Sequence, residues 1–537
     1  MLFNSYEFLF LFLPVTAGLF FLLGGRSRAL AISWLILASL FFYAWWRPLN
    51  VLIIAPSVAL NYCIARLMQR FIRESRPRRV RALLIAGIAF NVAFLGYFKY
   101  AGFFTGVVDD VFGTHFVLEK IILPLGISFI TFQKIAFLVD VAAGRVQRFT
   151  LRDYCLFVLF FPQLIAGPIV HYREVMPQFE RASCRFNPLD IALGSTLFFA
   201  GLFKKTVLAD GIAPFVSPLY EQAVAGHPLP LVQAWMAAVG FTLQIYFDFS
   251  GYSDMAIGIA RLFGVKLPPN FNSPLRATSI IEFWARWHMT LTRFLTAYLY
   301  NPLTLWLTRR RFARGLKGLG GKHTTPASFT QLLALPTLFT MGISGLWHGA
   351  GYNFILWGLI NGVYLIINHA WLMWRKMRRL PRALAQLLTF VCIVAAMAFF
   401  RAPTLASAWN IVTGMAGGRG LMLPYNVLQH LSGFSNWLQH AGVIAGRPDP
   451  EFFPALRWIL ALLALALFAP NTQQVLGRYE PVLGYGTGPT AAGAPAAGAP
   501  RRLEWQASWV WGVAVAVVAA VGVAHIAGVS EFLYWQF

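Results

Sequence analysis

Residues 323–374 read HTTPASFTQLLALPTLFTMGISGLWHGAGYNFILWGLINGVYLIINHAWLMW, without a single Asp, Glu, Lys or Arg. A charge-free run of this length belongs in a bilayer, where about 20 predominantly apolar residues make one helical crossing. Near its middle stands Gly345-Leu346-Trp347-His348-Gly349, and sixty residues earlier comes Phe283-Trp284-Ala285-Arg286-Trp287-His288. A histidine at membrane depth is expensive to bury unless it is paired or used, so an ionisable residue there marks a functional site by default.

The rest of the chain has the same character. Of 537 residues, 58% are hydrophobic and 12% charged, against about 25% charged in soluble domains. Spanning backbone is limited to helices or a closed barrel. The apolar runs 8–25, 29–46, 48–65, 82–98, 154–172, 228–247, 383–400 and 505–530 are too long for barrel strands of about 9–11 alternating residues. The expected fold is all-α and polytopic, one membrane domain over 1–537, with about 11–13 transmembrane or re-entrant helices. The first run starts at Phe8 with no basic stretch before it and reads as a retained helix rather than a cleaved signal.

The net charge of +24 does not point to nucleic acid. The cations lie in short loops between apolar runs, as the positive-inside rule requires. Loops 66–81, 309–322 and 375–382 are therefore expected in the cytoplasm. Counting helices from them places both termini and an insert at 401–457 outside. The insert is expected to carry short amphipathic helices such as Val427–His440. Residues 482–503, rich in Gly, Ala and Pro, read as a flexible cytoplasmic linker. Residues 531–537 read as an external aromatic tail. The four cysteines show no Cys-x-x-Cys spacing, so no metal site is expected. No internal repeat of the kind many transporters carry is visible.

Polar motifs interrupt the apolar runs at 124–133, 161–168, 246–254 and 268–274. Pro and Gly at membrane depth free backbone groups that protein or cavity water must satisfy. Their clustering with Asp248, Asp254 and both histidines suggests broken helices around a wet tunnel, with Trp347, Trp287, Asp248, Asp254 and Asn272 as lining or positioning residues. The plainer alternative is a set of kinks satisfied locally by Ser and Thr. Neutral imidazole in such a tunnel serves as general base or nucleophile. Trp347 would supply a flat wall and Gly349 room for close approach. His348 as a mere packing histidine, and His288 as part of an interfacial belt with Trp284, Arg286 and Trp287, are the competing structural readings.

In order and spacing, Met1–Phe8, Tyr246–Asp254, Asn270–Pro274, Arg286–His288, Leu346–Gly349 and Phe532–Phe537 resemble the membrane-bound O-acyltransferase (MBOAT) superfamily. The resemblance is to its bacterial alginate O-acetyltransferase-like and cellulose-acetylating branch. It implies that His348 is the essential histidine and His288 its second histidine. It also implies that acetyl-CoA is the cytoplasmic acyl donor, with no metal. The implied work is transfer across a bacterial inner membrane for O-acetylation of an extracytoplasmic polysaccharide. The implied partners are a periplasmic SGNH-type acyltransferase with a Ser-His-Asp site and the polysaccharide synthase or secretion machinery. Leu533, Tyr534, Trp535 and Phe537 would then hook the partner, with an interfacial belt as the alternative. Asn301-Pro302-Leu303-Thr304-Leu305-Trp306 and the basic loop after it depart from the alginate pattern, so cellulose or another exopolysaccharide stands beside alginate. A transporter of an acyl or glycan intermediate, and a scaffold for polysaccharide enzymes, are the alternatives from other classes.

Overall fold

The computed structural model describes residues 1–116, 121–181, 184–320, 324–374, 380–430, 433, 435–440, 442–446, 449–484, 503–526 and 533. The protein is a bundle of apolar helices, as its composition requires. Among the described residues six helices are long and apolar enough to cross a membrane: Leu49–Arg73, Pro77–Phe112, Pro188–Val224, Pro326–His348, Tyr352–Trp374 and Arg382–Arg401. Four shorter apolar helices accompany them, Phe8–Gly24, Arg28–Ala44, Phe452–Phe468 and Trp509–Ala524. Among the described residues the only strands are Leu421–Pro424 and Val443–Gly446, a short parallel pair inside the insert. Of the stretch expected as helical, Val427–His440, the described helices are Tyr425–His430 and Ser435–His440; residues 431, 432 and 434 lie outside the described residues.

Helix Leu231–Leu262, 32 residues long, forms the axis of the bundle and is buried on all sides from Met236 to Leu262. Glycines let its main partner approach. A methyl added at Gly251 would meet the Gly201 carbonyl at 2.7 Å, and one at Gly258 would meet the Gly194 carbonyl at 2.6 Å. Gly194 and Gly201 on one helix thus face Gly258 and Gly251 on the other, two turns apart in each. Small residues at such spacing are the usual way to pack helices closely in lipid, where no hydrophobic force draws them together.

This close approach places two charged clusters in the bundle. A π-helical turn, Lys204–Ala209, aims adjacent lysines at the axial helix. Lys204 Nζ pairs with Asp254 at 2.6 Å. Lys205 Nζ lies 2.6 Å from Asp248 and 2.8 Å from Asp210. The chain ends meet nearby. Phe3 stacks on Tyr252 at 4.8 Å, and the Tyr6 hydroxyl donates to the carbonyls of Val523 and Ile526 at 3.3 and 3.4 Å.

Several expected breaks are present. Gly126 is left-handed, with φ +64°, and starts helix Ile127–Ala142. Residues 165–171 and 264–273 run between helices while mostly buried in protein, which is where irregular backbone is tolerated at membrane depth. The linker expected at 482–503 begins later than its composition suggests. Val482 is buried, and the Leu483 N–H donates to the Leu267 carbonyl at 2.9 Å; residues 485–502 lie outside the described residues.

Candidate active site

His348 is the last residue of helix Leu335–His348. The helix stops because Gly349 takes extended backbone, φ −160°, before the next helix starts at Tyr352. A helix end leaves up to four carbonyls without intrahelical donors. Here they are met from far away in sequence. The Tyr100 hydroxyl donates to the Leu346 carbonyl at 2.8 Å. Lys99 Nζ donates to the Trp347 carbonyl and to the His348 carbonyl at 3.2 Å. Both side chains come from one π-helical turn, Gly96–Tyr100, and such turns recur at functional sites. A cation at a helix C-terminus also suits the helix dipole.

The imidazole of His348 is buried and walled by aromatic rings. Trp347 lies 4.8 Å away, Trp357 5.0 Å and Phe400 5.2 Å between ring centroids. His288 is 6.5 Å away. The two histidines proposed from sequence therefore lie side by side among aromatic rings, brought there by separate arms of the chain. Trp347 is fixed as a wall by stacking on Phe132 at 5.2 Å, which stacks on Phe294 at 4.3 Å. The room expected above Gly349 belongs to the protein itself: a methyl there would strike the Phe354 ring. Glycine is required at 349 for helix packing, not for access to the imidazole.

His288 sits in left-handed backbone, φ +43°, at the N-terminus of helix Met289–Leu295. For a non-glycine residue this conformation costs on the order of 1–3 kcal/mol and persists only where the surroundings over-determine it. They do. The Met289 N–H donates to the Asn270 carbonyl at 2.9 Å. Asn270 Oδ1 lies 3.3 Å from His288 Nδ1 and accepts from the Thr290 hydroxyl at 2.6 Å. Asn270 Nδ2 donates to Ser253 at 2.9 Å. Phe249 closes the other side of the imidazole, 4.7 Å away.

The remaining sequence candidates fall elsewhere. Trp287 stacks on Phe283 at 5.5 Å and meets Phe271 edge-on at 5.1 Å, so it packs the loop that carries His288. Asp254 accepts from the Thr472 hydroxyl at 2.7 Å as well as from Lys204. Asn272 Oδ1 accepts from Asn471 Nδ2 at 3.0 Å, on the same segment as Thr472. Asp248 and Asp254 thus tie helices together through lysines. Two adjacent lysines in an otherwise apolar run were the available signal, since intramembrane cations must find partners. Leu533 is buried and its backbone N–H faces the Asp248 carboxylate; Tyr534, Trp535 and Phe537 lie outside the described residues. Sequence reasoning missed Lys99, Tyr100, Asn270, Trp357 and Phe400. It also missed His171, whose Nδ1 lies 2.9 Å from the Tyr298 hydroxyl, beside the doubly bonded Glu174–Arg293 pair at 2.9 Å.

Lys99→Met releases two carbonyls at the end of the His348 helix, and Tyr100→Phe releases one. A misplacement of about 1 Å can cost about 10²-fold in rate, so donor turnover by each variant is expected to fall about 10–10²-fold, with Lys99→Arg recovering part of it. Wild-type turnover in both would mean that this cap does not position His348.

A multi-pass helical bundle thus brings two buried imidazoles within 6.5 Å of each other, between ring centroids. Comparison with known proteins gives the class. Residues 134–316 match the MBOAT, membrane-bound O-acyltransferase, family model; His288 lies inside that stretch and His348 beyond it. The chain is 40% identical over 454 residues to a peptidoglycan O-acetyltransferase of Helicobacter pylori, covering 79% of this chain and 81% of that one. It is 38% identical over 429 residues to a probable alginate O-acetylase of Pseudomonas aeruginosa, covering 77% and 75%. A teichoic acid D-alanyltransferase of Streptococcus thermophilus is 30% identical over 254 residues, 47% of this chain and 58% of that one. The chain belongs to the membrane-bound O-acyltransferase family.

Proposed function

We propose that this acyltransferase takes acetyl from cytoplasmic acetyl-CoA and delivers it through the bacterial inner membrane for O-acetylation of an extracytoplasmic polysaccharide. The observation that carries the reading is the closeness of His348 and His288 within one aromatic cluster, their ring centroids 6.5 Å apart. A neutral imidazole there takes a proton from an attacking hydroxyl or thiol, or carries the acyl group. The surrounding rings keep competing water from the imidazoles. The polymer is of alginate or cellulose type. The Helicobacter relative adds peptidoglycan, a class not weighed from the sequence.

The inner mouth takes the donor, with the basic loop 309–322 toward its phosphates. Both termini are periplasmic, and the contact of Tyr6 with Val523 and Ile526 supports placing them on one side. A periplasmic SGNH-type acyltransferase completes the transfer beside the polysaccharide synthase machinery. The tail from Leu533 onward holds that partner, anchored on the membrane protein by the burial of Leu533.

The test is the acetyl-ester content of the polymer from cells lacking the chain and from cells in which Leu533–Phe537 is deleted. Cells lacking the chain are expected to make polymer without esters. The truncated protein is expected to insert and to bind acetyl-CoA, yet to lose co-purification with its partner and to leave the polymer unacetylated. Unchanged ester content without the chain contradicts the function; unchanged pull-down and ester content after truncation contradict the tail's role alone.

A further inference from the structure

Two buried indole N–H groups belong to the aromatic cluster around His348, Trp357 against the imidazole and Trp284 against Trp357. Trp357 is 1% exposed, and its Nε1 has no hydrogen-bond partner among the described residues. The same is true of Nε1 of Trp284, which is 7% exposed. The rings stand edge to face, 5.8 Å apart. Trp357 also meets Phe400 at 4.9 Å and His348 at 5.0 Å, so its indole packs directly against the imidazole. Trp284 ends the five-residue helix Ile280–Trp284, four residues before His288, and that helix packs on Tyr352–Trp374. The two indoles therefore come from the two arms that deliver the two histidines.

A buried N–H without an acceptor costs about 1–3 kcal/mol, and buried tryptophan N–H groups usually find a partner. A tryptophan at such a place, where phenylalanine would fill similar space with no donor to satisfy, implies an acceptor that arrives with the substrate. We propose that Trp357, with Trp284 beside it, is a further catalytic residue: its indole N–H binds the carbonyl oxygen of the acyl group during transfer. The inference rests on the acyl-transfer reading of His348 and adds to it the group that bears the developing charge.

The step balances as follows. The acceptor's hydroxyl oxygen attacks the thioester carbonyl carbon while its proton passes to the His348 imidazole. The carbonyl π electrons move to oxygen, giving a tetrahedral oxyanion that the indole donors stabilise. Collapse re-forms the C=O bond, breaks the C–S bond and expels CoA thiolate, which takes the proton back from imidazolium. Donors placed where charge develops in a water-excluded site raise the rate rather than ground-state affinity, and loss of one typically costs about 10²–10³-fold in kcat.

The test uses the full-length protein in detergent with acetyl-CoA as donor. At position 357, tryptophan is replaced by 3-benzothienylalanine, which keeps the bicyclic shape and lacks only the N–H; Trp357→Phe and Trp284→Phe are made alongside. The benzothienyl protein is expected to lose about 10²-fold in kcat, with KM for acetyl-CoA and the melting temperature unchanged. Trp284→Phe is expected to lose less. Wild-type kcat in the benzothienyl protein overturns the proposal, as does a loss that appears only in KM or melting temperature. Absence of donor turnover by the wild-type protein itself would instead remove the acyl-transfer reading beneath it.

Discussion

Cells carrying His348→Ala are expected to make polymer without acetyl esters, although the variant protein reaches the membrane at its normal level. The expected loss is complete because His348 is the imidazole that the chamber is built around, with Trp347, Trp357 and Phe400 all within 5.2 Å between ring centroids. Folding survives because alanine sustains the helix and the carbonyl caps from Lys99 and Tyr100 act on the backbone. His288→Ala is expected to be severely impaired, by the roughly 10²–10⁴-fold typical of acid–base assistance. The chamber keeps its first imidazole in that variant. Ester content measured by base hydrolysis, beside an immunoblot of washed membranes, checks both. Retained acetylation in His348→Ala would end the catalytic role and leave the scaffold reading in its place.

Lys205→Met produces the largest expected loss of stability. Asp248 is fully buried, and Lys205 is its cation at 2.6 Å. Removing one partner of a buried pair leaves an uncompensated charge and typically costs about 3–5 kcal/mol. Lys205→Met with Asp248→Leu is expected to recover most of this, since apolar replacement of a whole buried pair is often neutral or better. Asp210, the other carboxylate on Lys205, has a side chain 27% exposed, so solvent reaches it once Lys205 is gone. Thermal unfolding of the two detergent-purified proteins decides the matter. Equal melting temperatures for the single and double variants would show that Asp248 does not depend on Lys205.

The class of fold was legible because bilayer chemistry writes itself locally: charge-free runs, basic loops and Pro/Gly breaks are all properties of neighbouring residues. His348 and His288 were legible for the same reason, each conspicuous against its own surroundings. Their partners were not. Tyr100 is 246 residues from the carbonyl it caps, and Phe400 reaches His348 from helix Arg382–Arg401, where nothing sets it apart from the apolar residues around it. Asp248 and Asp254 drew notice as charges in oil. Their roles depended on Lys204 and Lys205, whose phase on the helix is set by a π-helical turn that no apolar periodicity reveals. Gly349 was read correctly as a site of close approach, yet the group that approaches is Phe354. Leu533 was read as part of an external tail and is buried against the bundle, as are Met1–Phe3; residues 534–537 lie outside the described residues.

The measurement that decides between an acyltransferase and a carrier is release of free CoA from radiolabelled acetyl-CoA by the full-length protein in washed membranes. The wild-type protein is expected to consume the thioester and release CoA, and the His348→Ala protein to release none above background while still binding donor. Intact thioester after incubation with the wild-type protein, or equal CoA release by His348→Ala, would contradict acyl transfer at His348.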